Sequence, residues 1–418
     1  MDEETQSPAT ARHEVLVRSG KDAATASVGT TSGIRGRHIV GAIALNTMCI
    51  LPCFLVSAMG ESIRSDLRLD EAVLGFAFSG YWLVASIAAF PMAVLTDRWG
   101  AVRALRAAGL GAFVLSLVFM GAAQSGAGLV LALAVVGLAP ALATPAVNVV
   151  IMSGVRVQRR ACAFAAASAS PVAALMVAGA TAPVLEKLVG WRPAIGIGGL
   201  AAALLVVWLR GSQPRQTCSE TSPQVKVSLR PLMVMMAGVL AANVALGGAT
   251  SFAVVAAPTA GLDLASVSFL VSVCACGSIL FRLTCAVMVD RRGSDPFPGA
   301  WVMMLAGGVG FVLMAWGLPG AFVAGLVLVL VPGWSWIPLL VHGVTSRYSD
   351  AVAPASGVVQ GAYFVGGVIG PAIMGVLVTT ASYSLAWLVM GAASLVAALS
   401  VFVQGRRLPP FRAARVGR

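Results

Sequence analysis

The chain has 418 residues, 58% of them apolar and only 11% charged, with a mean hydropathy of +0.90. Soluble domains carry about 25% charged residues, so this composition excludes an ordinary water-soluble protein. The net charge of +12 sits in short turns between apolar runs, which argues against a nucleic-acid surface and for charges that orient a chain in a bilayer.

Residues 1–37 hold Ser, Thr, Gly and mixed charges without an apolar core, and are expected to form a flexible cytoplasmic tail, not a signal peptide. Apolar runs long enough to cross a hydrocarbon layer of about 30 Å follow one another from there. Twelve spans are expected near 38–60, 72–95, 105–123, 128–153, 161–184, 192–210, 231–256, 265–289, 298–316, 320–341, 353–378 and 382–403. A polar cytoplasmic linker at 211–230 separates the sixth span from the seventh, and a basic tail occupies 404–418. No span shows the strict alternation of a barrel strand, and small residues that let helices approach closely are abundant. The expected fold is an all-α membrane protein, with bundles of six helices over 38–210 and 231–403.

Orientation follows from the basic residues. With both termini cytoplasmic, 23 of the 28 fall in inner segments and four (Arg64, Arg68, Lys187 and Arg192) in outer loops; Arg282 belongs to neither side. The expected location is the cell membrane.

Two turns repeat at half-chain spacing. Asp97-Arg98-Trp99-Gly100 closes the second span, and Asp290-Arg291-Arg292-Gly293 closes the eighth, 193 residues later. Asn46 and Asn243 echo one another in the first and seventh spans, as do Pro183 and Pro371 in the fifth and eleventh. A repeat of this kind marks two related halves, the usual build of a membrane carrier. A carboxylate and a guanidinium at a helix end can pair with each other, with the helix end or with the other half. Asp97, Arg98, Gly100 and Arg103, with Asp290, Arg291 and Gly293, are therefore the candidate gate at the inner face.

On these turns and this topology the chain resembles the major facilitator superfamily, whose signature after spans two and eight runs roughly Gly-x-x-x-Asp-Arg-x-Gly-Arg-Arg. Ala93 and Ala286 stand where glycine is usual, and the basic pair is reduced to Arg103 in the first copy. Pro145-Ala146-Val147-Asn148, Val189-Gly190-Trp191-Arg192, Gly333-Trp334-Ser335-Trp336 and Gly357-Val358-Val359-Gln360 resemble a bacterial subgroup of that family. The resemblance implies a central cavity lined mainly by spans one, four, seven and ten, and alternating access by rocking of the two halves.

Arg282 is the single charged residue well inside a span, roughly 12 Å from its inner edge at about 1.5 Å per residue. Placing a charge there costs about 2.5–3.5 kcal/mol on insertion scales. Helical side chains lean toward the N-terminus, which aims this head at the middle of the protein. No Asp or Glu lies inside any span, so a cation lacks a counter-charge while an anion has one. The position also resembles the eighth-span arginine of monocarboxylate porters and oxalate/formate exchangers. Where the exchangers carry a second basic residue, in span eleven, this chain has Gln360 and Tyr363; a monoanion is thus favoured over a dianion. Asn46, Tyr81, Asn148, Asn243, Trp334, Trp336, Gln360 and Tyr363 are supporting polar candidates, and His342 lies at the inner end of span ten.

Seven cysteines give no disulfide framework; Cys49, Cys53, Cys274, Cys276 and Cys285 read as small buried packers. There is no phosphate-binding loop, no convincing metal cluster and no nucleophile–base pair, so neither enzymatic activity nor a cofactor is expected. The expected function is secondary active transport of a small organic anion, monocarboxylate-like, by proton symport or exchange. The alternative is a proton-driven exporter of drugs or a specialised metabolite. Expected partners are the substrate and the lipid bilayer, with the chain monomeric.

Overall fold

In hydrocarbon every backbone N–H and C=O must find a partner within the chain, which leaves the helix as the solution for an isolated apolar run. The computed structural model describes residues 31–155, 163–164, 166–209, 230–292, 294–347 and 352–407, and within these all regular structure is helical. The helices are α1 (Thr31–Ala58), α2 (Gly60–Leu67), α3 (Glu71–Trp99), α4 (Ala101–Ala122), α5 (Gly126–Val136), α6 (Leu138–Gly154), α7 (Ser170–Val189) and α8 (Trp191–Trp208). After the linker come α9 (Arg230–Phe252), α10 (Leu264–Arg292), α11 (Phe297–Ala315), α12 (Pro319–Leu330), α13 (Trp336–Arg347), α14 (Val352–Thr380) and α15 (Tyr383–Gly405). The predicted linker, most of both tails, Gly293 and the side chains of Asp290 and Arg291 lie outside the described residues.

Among the described residues, ten helical segments are long and apolar enough to cross a membrane, counting α5 and α6 as one. Large apolar side chains such as Ile87, Phe90, Leu110, Leu204, Phe269 and Leu399 face outward, a surface suited to lipid rather than water. The protein is a multi-pass membrane protein. The predicted spans at 192–210 and 320–341 fall on shorter apolar helices, Trp191–Val207 and Pro319–Leu330, and the one predicted at 161–184 falls on a segment displaced to Ser170–Val189.

The span predicted at 320–341 is not one helix. Pro332 has no N–H for the Leu328 carbonyl, which takes the Gly333 N–H instead at 2.9 Å. Pro338 likewise has no N–H for the Trp334 carbonyl, so α13 cannot extend back beyond Trp336. The result is a break over residues 331–335. The span predicted at 128–153 is interrupted at the equivalent place, Gly137, where Pro140 withdraws the donor that Val136 would use. Gly100 carries the chain from α3 into α4 with φ of +85°, a conformation that only glycine adopts readily.

Buried apolar side chains form three clusters. The largest joins residues before the linker (Phe54, Phe78, Leu175) to residues after it (Phe252, Val271, Leu330, Met374). The other two each stay on one side of the linker, one around Met235, Met304 and Trp336, the other around Leu45, Leu105 and Val147. The two parts of the chain thus share a core at one end and have separate cores toward the end that carries Asp97.

Hydroxyl-to-carbonyl hydrogen bonds lock the shared end. Ser57 Oγ donates to the Thr250 carbonyl at 2.7 Å, Ser272 Oγ to Met176 at 2.6 Å and Ser268 Oγ to Gly179 at 3.1 Å. The Ala72 N–H donates to Thr379 Oγ1 at 3.0 Å. Here α3 and α14 touch backbone to backbone: a Cβ on Gly75 would lie 2.4 Å from the Pro371 carbonyl oxygen.

Candidate functional site

The break between α12 and α13 is held from α10. Ser278 and Arg282, four residues apart and so on one helix face, both reach it. Ser278 Oγ lies 3.2 Å from Ser335 Oγ, and Arg282 Nη2 donates to the Trp334 carbonyl. That carbonyl is the one Pro338 leaves without a helical partner. The guanidinium carbon also sits 5.6 Å from the centroid of the Trp334 ring, within cation–π range.

Arg282 is 7% exposed, and its Nε is buried with no hydrogen-bond partner among the described residues. Among the described residues no carboxylate pairs with it. A buried donor left unsatisfied costs about 1–3 kcal/mol, and more when charged. Such a group is retained at a cost to stability.

The place for an acceptor is a cavity of about 220 Å³ that Arg282 lines. It lies between the two parts of the chain, walled by Ile43 and Thr47 of α1, Ser170 and Ala173 of α7, Ile279, Leu283 and Ala286 of α10, and Pro338 of α13. Ala166 and Ala169, just before α7, complete it. Its polar groups are few. Thr47 Oγ1 donates to the Ile43 carbonyl at 3.0 Å, while Ser170 Oγ is buried without a partner among the described residues.

Of the residues singled out in the sequence, Arg282, Trp334, Tyr363 and Asn243 come together. The Tyr363 side chain meets the Trp334 indole within electrostatic reach of Arg282, and Asn243 Nδ2 donates to the Tyr363 carbonyl. Asn46 sits across the molecule, its Oδ1 accepting from Thr144 Oγ1 at 3.2 Å. Asn148, one turn beyond Thr144 on the same strip of α6, is exposed. Gln360 is exposed on α14. Tyr81 is fully buried in the shared core, edge-on to Trp82, with its hydroxyl unpartnered. Trp336 is likewise buried, in the core of the later part, and His342 is exposed on α13.

The candidate gate is described on one side only. Asp97, Arg98 and Arg103 are exposed and make no ion pair among the described residues. The side chains of Asp290 and Arg291, and Gly293 entirely, lie outside those residues. At the same end Arg347 pairs with Asp295 at 2.6 Å and lies 4.3 Å from the Phe297 ring centroid. Of the five described cysteines Cys49, Cys53 and Cys274 are buried as expected, but Cys276 is exposed and Cys285 half-buried. No metal-binding group occurs among the described residues.

Sequence reasoning passed over Thr47, Ser170 and Pro338. Pro332 and Pro338 flanking the Gly-Trp-Ser-Trp run were the signal for the break. Ser168-Ala169-Ser170-Pro171, a polar pair before a proline inside an apolar run, was the signal for Ser170.

No functionally curated protein matches the chain in sequence. Solved structures match its fold. A bacterial homolog of the human lysosomal transporter Spinster, in an inward-facing and occupied conformation, aligns with a TM-score of 0.69 at 15% identity, covering 88% of this chain and 96% of that one. The nucleoside transporter NupG aligns with a TM-score of 0.69 at 14% identity, covering 88% of this chain and 99% of that one. The profile of the Major Facilitator Superfamily matches residues 41–353. With that match over most of its length, a helical membrane fold and transporters as structural neighbours, the chain belongs to the Major Facilitator Superfamily and is a transporter rather than an enzyme.

Proposed function

We propose that the protein moves a small organic anion across the cell membrane by secondary active transport, in proton symport or exchange. Twelve membrane-crossing segments in two six-helix halves rock about the shared core, with both termini cytoplasmic. The observation that carries the substrate class is Arg282: a buried guanidinium, with no carboxylate partner among the described residues, in a side chain that lines a cavity between the two parts of the chain. The hydrogen bond to Trp334 orients the group without neutralising it, and leaves the rest of the fork for a carboxylate. Asp97, Arg98, Gly100 and Arg103, with Asp290, Arg291 and Gly293, would close the end at which the separate cores lie.

Export of a drug-sized molecule is the competing reading, supported by the largely apolar lining. The volume of about 220 Å³ is below the roughly 300–1,000 Å³ of pockets for drug-sized ligands, which favours the smaller substrate. The nucleoside transporter among the similar structures shares the fold at 14% identity and does not decide the substrate.

Uptake of radiolabelled organic anions into proteoliposomes tests the assignment. Wild type accumulates at least one of them, and Arg282→Gln, purified as a monodisperse protein, loses that uptake. Unchanged uptake by Arg282→Gln would overturn the reading.

A further inference from the structure

The geometry points to a side opening: the cavity is open to the bilayer between α7 and α10, and the acyl chain of a lipid in the leaflet at the Asp97 end enters it there. The rim of the cavity carries this, not Arg282, so the anion reading is not required.

The exposed face of each helix runs into the cavity. On α10 the exposed residues Phe269, Val273, Cys276, Leu280, Leu283 and Val287 follow one another at steps of three or four, which makes them a single strip of the helix. Phe269 and Leu280 place that strip against lipid, and Leu283, between Leu280 and Val287 on it, also lines the cavity. The earlier part of the chain supplies the matching rim. Ala166 and Ala173 line the cavity, and the same strip continues along α7 as the exposed Ala180, Val184 and Leu188. A sealed cavity would be lined from buried faces alone; here two outward strips share the lining with the buried Arg282.

Depth decides what meets this rim. Ala286 and Leu283 precede Asp290 by four and seven residues, which puts them roughly 6 and 10 Å along the helix from it at about 1.5 Å per residue. That is within one leaflet of a hydrocarbon core about 30 Å thick, where acyl chains surround the protein. Farther from Asp290 the two helices close on each other, Ser272 on Met176 and Ser268 on Gly179, so the opening is confined to that leaflet. The walls behind the rim suit a chain. Ile43 and Pro338 are apolar, the Thr47 hydroxyl is held by the Ile43 carbonyl and Arg282 Nη2 by the Trp334 carbonyl. A cavity of about 220 Å³ left empty forfeits the dispersion contacts of its walls. A chain end drawn from the adjoining leaflet restores them with no water to displace.

The test places the full chain in phosphatidylcholine vesicles that contain a trace of phosphatidylcholine with a diazirine midway along one acyl chain, and maps the adducts by mass spectrometry after illumination. Leu280 and Val184 face lipid in any case and serve as the reference. Adducts are expected on Ile43 and Pro338 as well, at yields within a few-fold of Leu280. Ala173→Trp, which fills the rim, is expected to lower the Ile43 and Pro338 adducts at least tenfold and to leave Leu280 unchanged. Ala166→Leu narrows the same rim by a smaller substitution and lowers them in the same direction. Adducts confined to Leu280 and Val184 in the wild type would overturn the proposal. Labelling of Ile43 and Pro338 by a water-soluble diazirine and not by the lipid would also overturn it, and would make the cavity an aqueous one. Unchanged Ile43 and Pro338 adducts in both variants would overturn the route between α7 and α10. None of these outcomes alters the uptake test with Arg282→Gln.

Discussion

Arg282 donates to the backbone carbonyl of Trp334, a carbonyl that is free because the residue four positions on is Pro338. A helix break and a buried charge, each costly by itself, thereby become one structure. The break presents an acceptor at the depth where the charge sits, and the charge satisfies an orphan acceptor. Membrane carriers typically build their binding sites around discontinuous helices, whose unwound backbone groups are free to make further hydrogen bonds.

Replacing Arg282 by methionine separates stability from function. The apolar side chain removes a desolvated charge, whose burial costs several kcal/mol, and leaves the Trp334 carbonyl without its partner, at about 1–3 kcal/mol, so the two changes oppose each other. Arg282→Met is expected to unfold in detergent within a few degrees of wild type or above it, while anion uptake falls below detection. A large fall in melting temperature would show instead that the residue serves the fold.

The shared end of the two parts should be sensitive to one methyl group. With a Cβ only 2.4 Å from the Pro371 carbonyl, Gly75→Ala must push α3 from α14. Overpacking of this sort costs about 1–3 kcal/mol, and here the cost falls on the closed seal. Ser57→Cys, in a background without native cysteines, is expected to react with an impermeant maleimide several-fold faster once Gly75→Ala is added. An equal rate would show that the seal does not open this way.

Gly100 turns α3 into α4 at a φ of +85° with ψ of 142°, a region nearly exclusive to glycine. Gly100→Ala is expected to cost about 1–3 kcal/mol, read as a lower midpoint in thermal unfolding. An unchanged midpoint would contradict the strained turn.

Outside the membrane, Asp263 precedes α10 and accepts from the Ser266 backbone N–H at 2.9 Å and its hydroxyl at 3.2 Å. These bonds, the backbone one first, hold the carboxyl below its ordinary value. A depressed folded-state pKa means that the stabilisation is complete above the unfolded value, about 3.9, and is lost as pH falls through the folded one. Melting temperature followed from pH 6 to pH 3 should show a steeper acid limb for wild type than for Asp263→Asn. Identical limbs would show that Asp263 does not contribute to acid sensitivity.

Apolar runs made the positions of the ten long spans legible, because in lipid length and hydrophobicity decide where a helix can lie. Arg282 was legible as an exception to that rule. The break at 331–335 was written in Pro332 and Pro338, yet hydropathy alone runs straight through it. Ser170 was not legible in the same sense, since serines are common in packed membrane helices and only its missing partner sets it apart. Likewise Ser268 and Ser272 look like any small residues until α7 is seen opposite them. Asn46 and Asn243, matched in sequence, take different partners, Thr144 and the Tyr363 carbonyl, because hydrogen-bond partners come from packing and not from the repeat.

If Arg282 holds an anion in the cavity between the two parts of the chain, a reporter on the cavity wall must sense it. Ala169→Cys places a thiol on the cavity wall and can be followed by maleimide labelling in oriented vesicles, again without native cysteines. Labelling is expected from the Asp97 end, slowed at least tenfold by saturating hexanoate, with no such protection when Arg282→Gln is added. A thiol unreactive from that end, or protection that persists in Arg282→Gln, would contradict it.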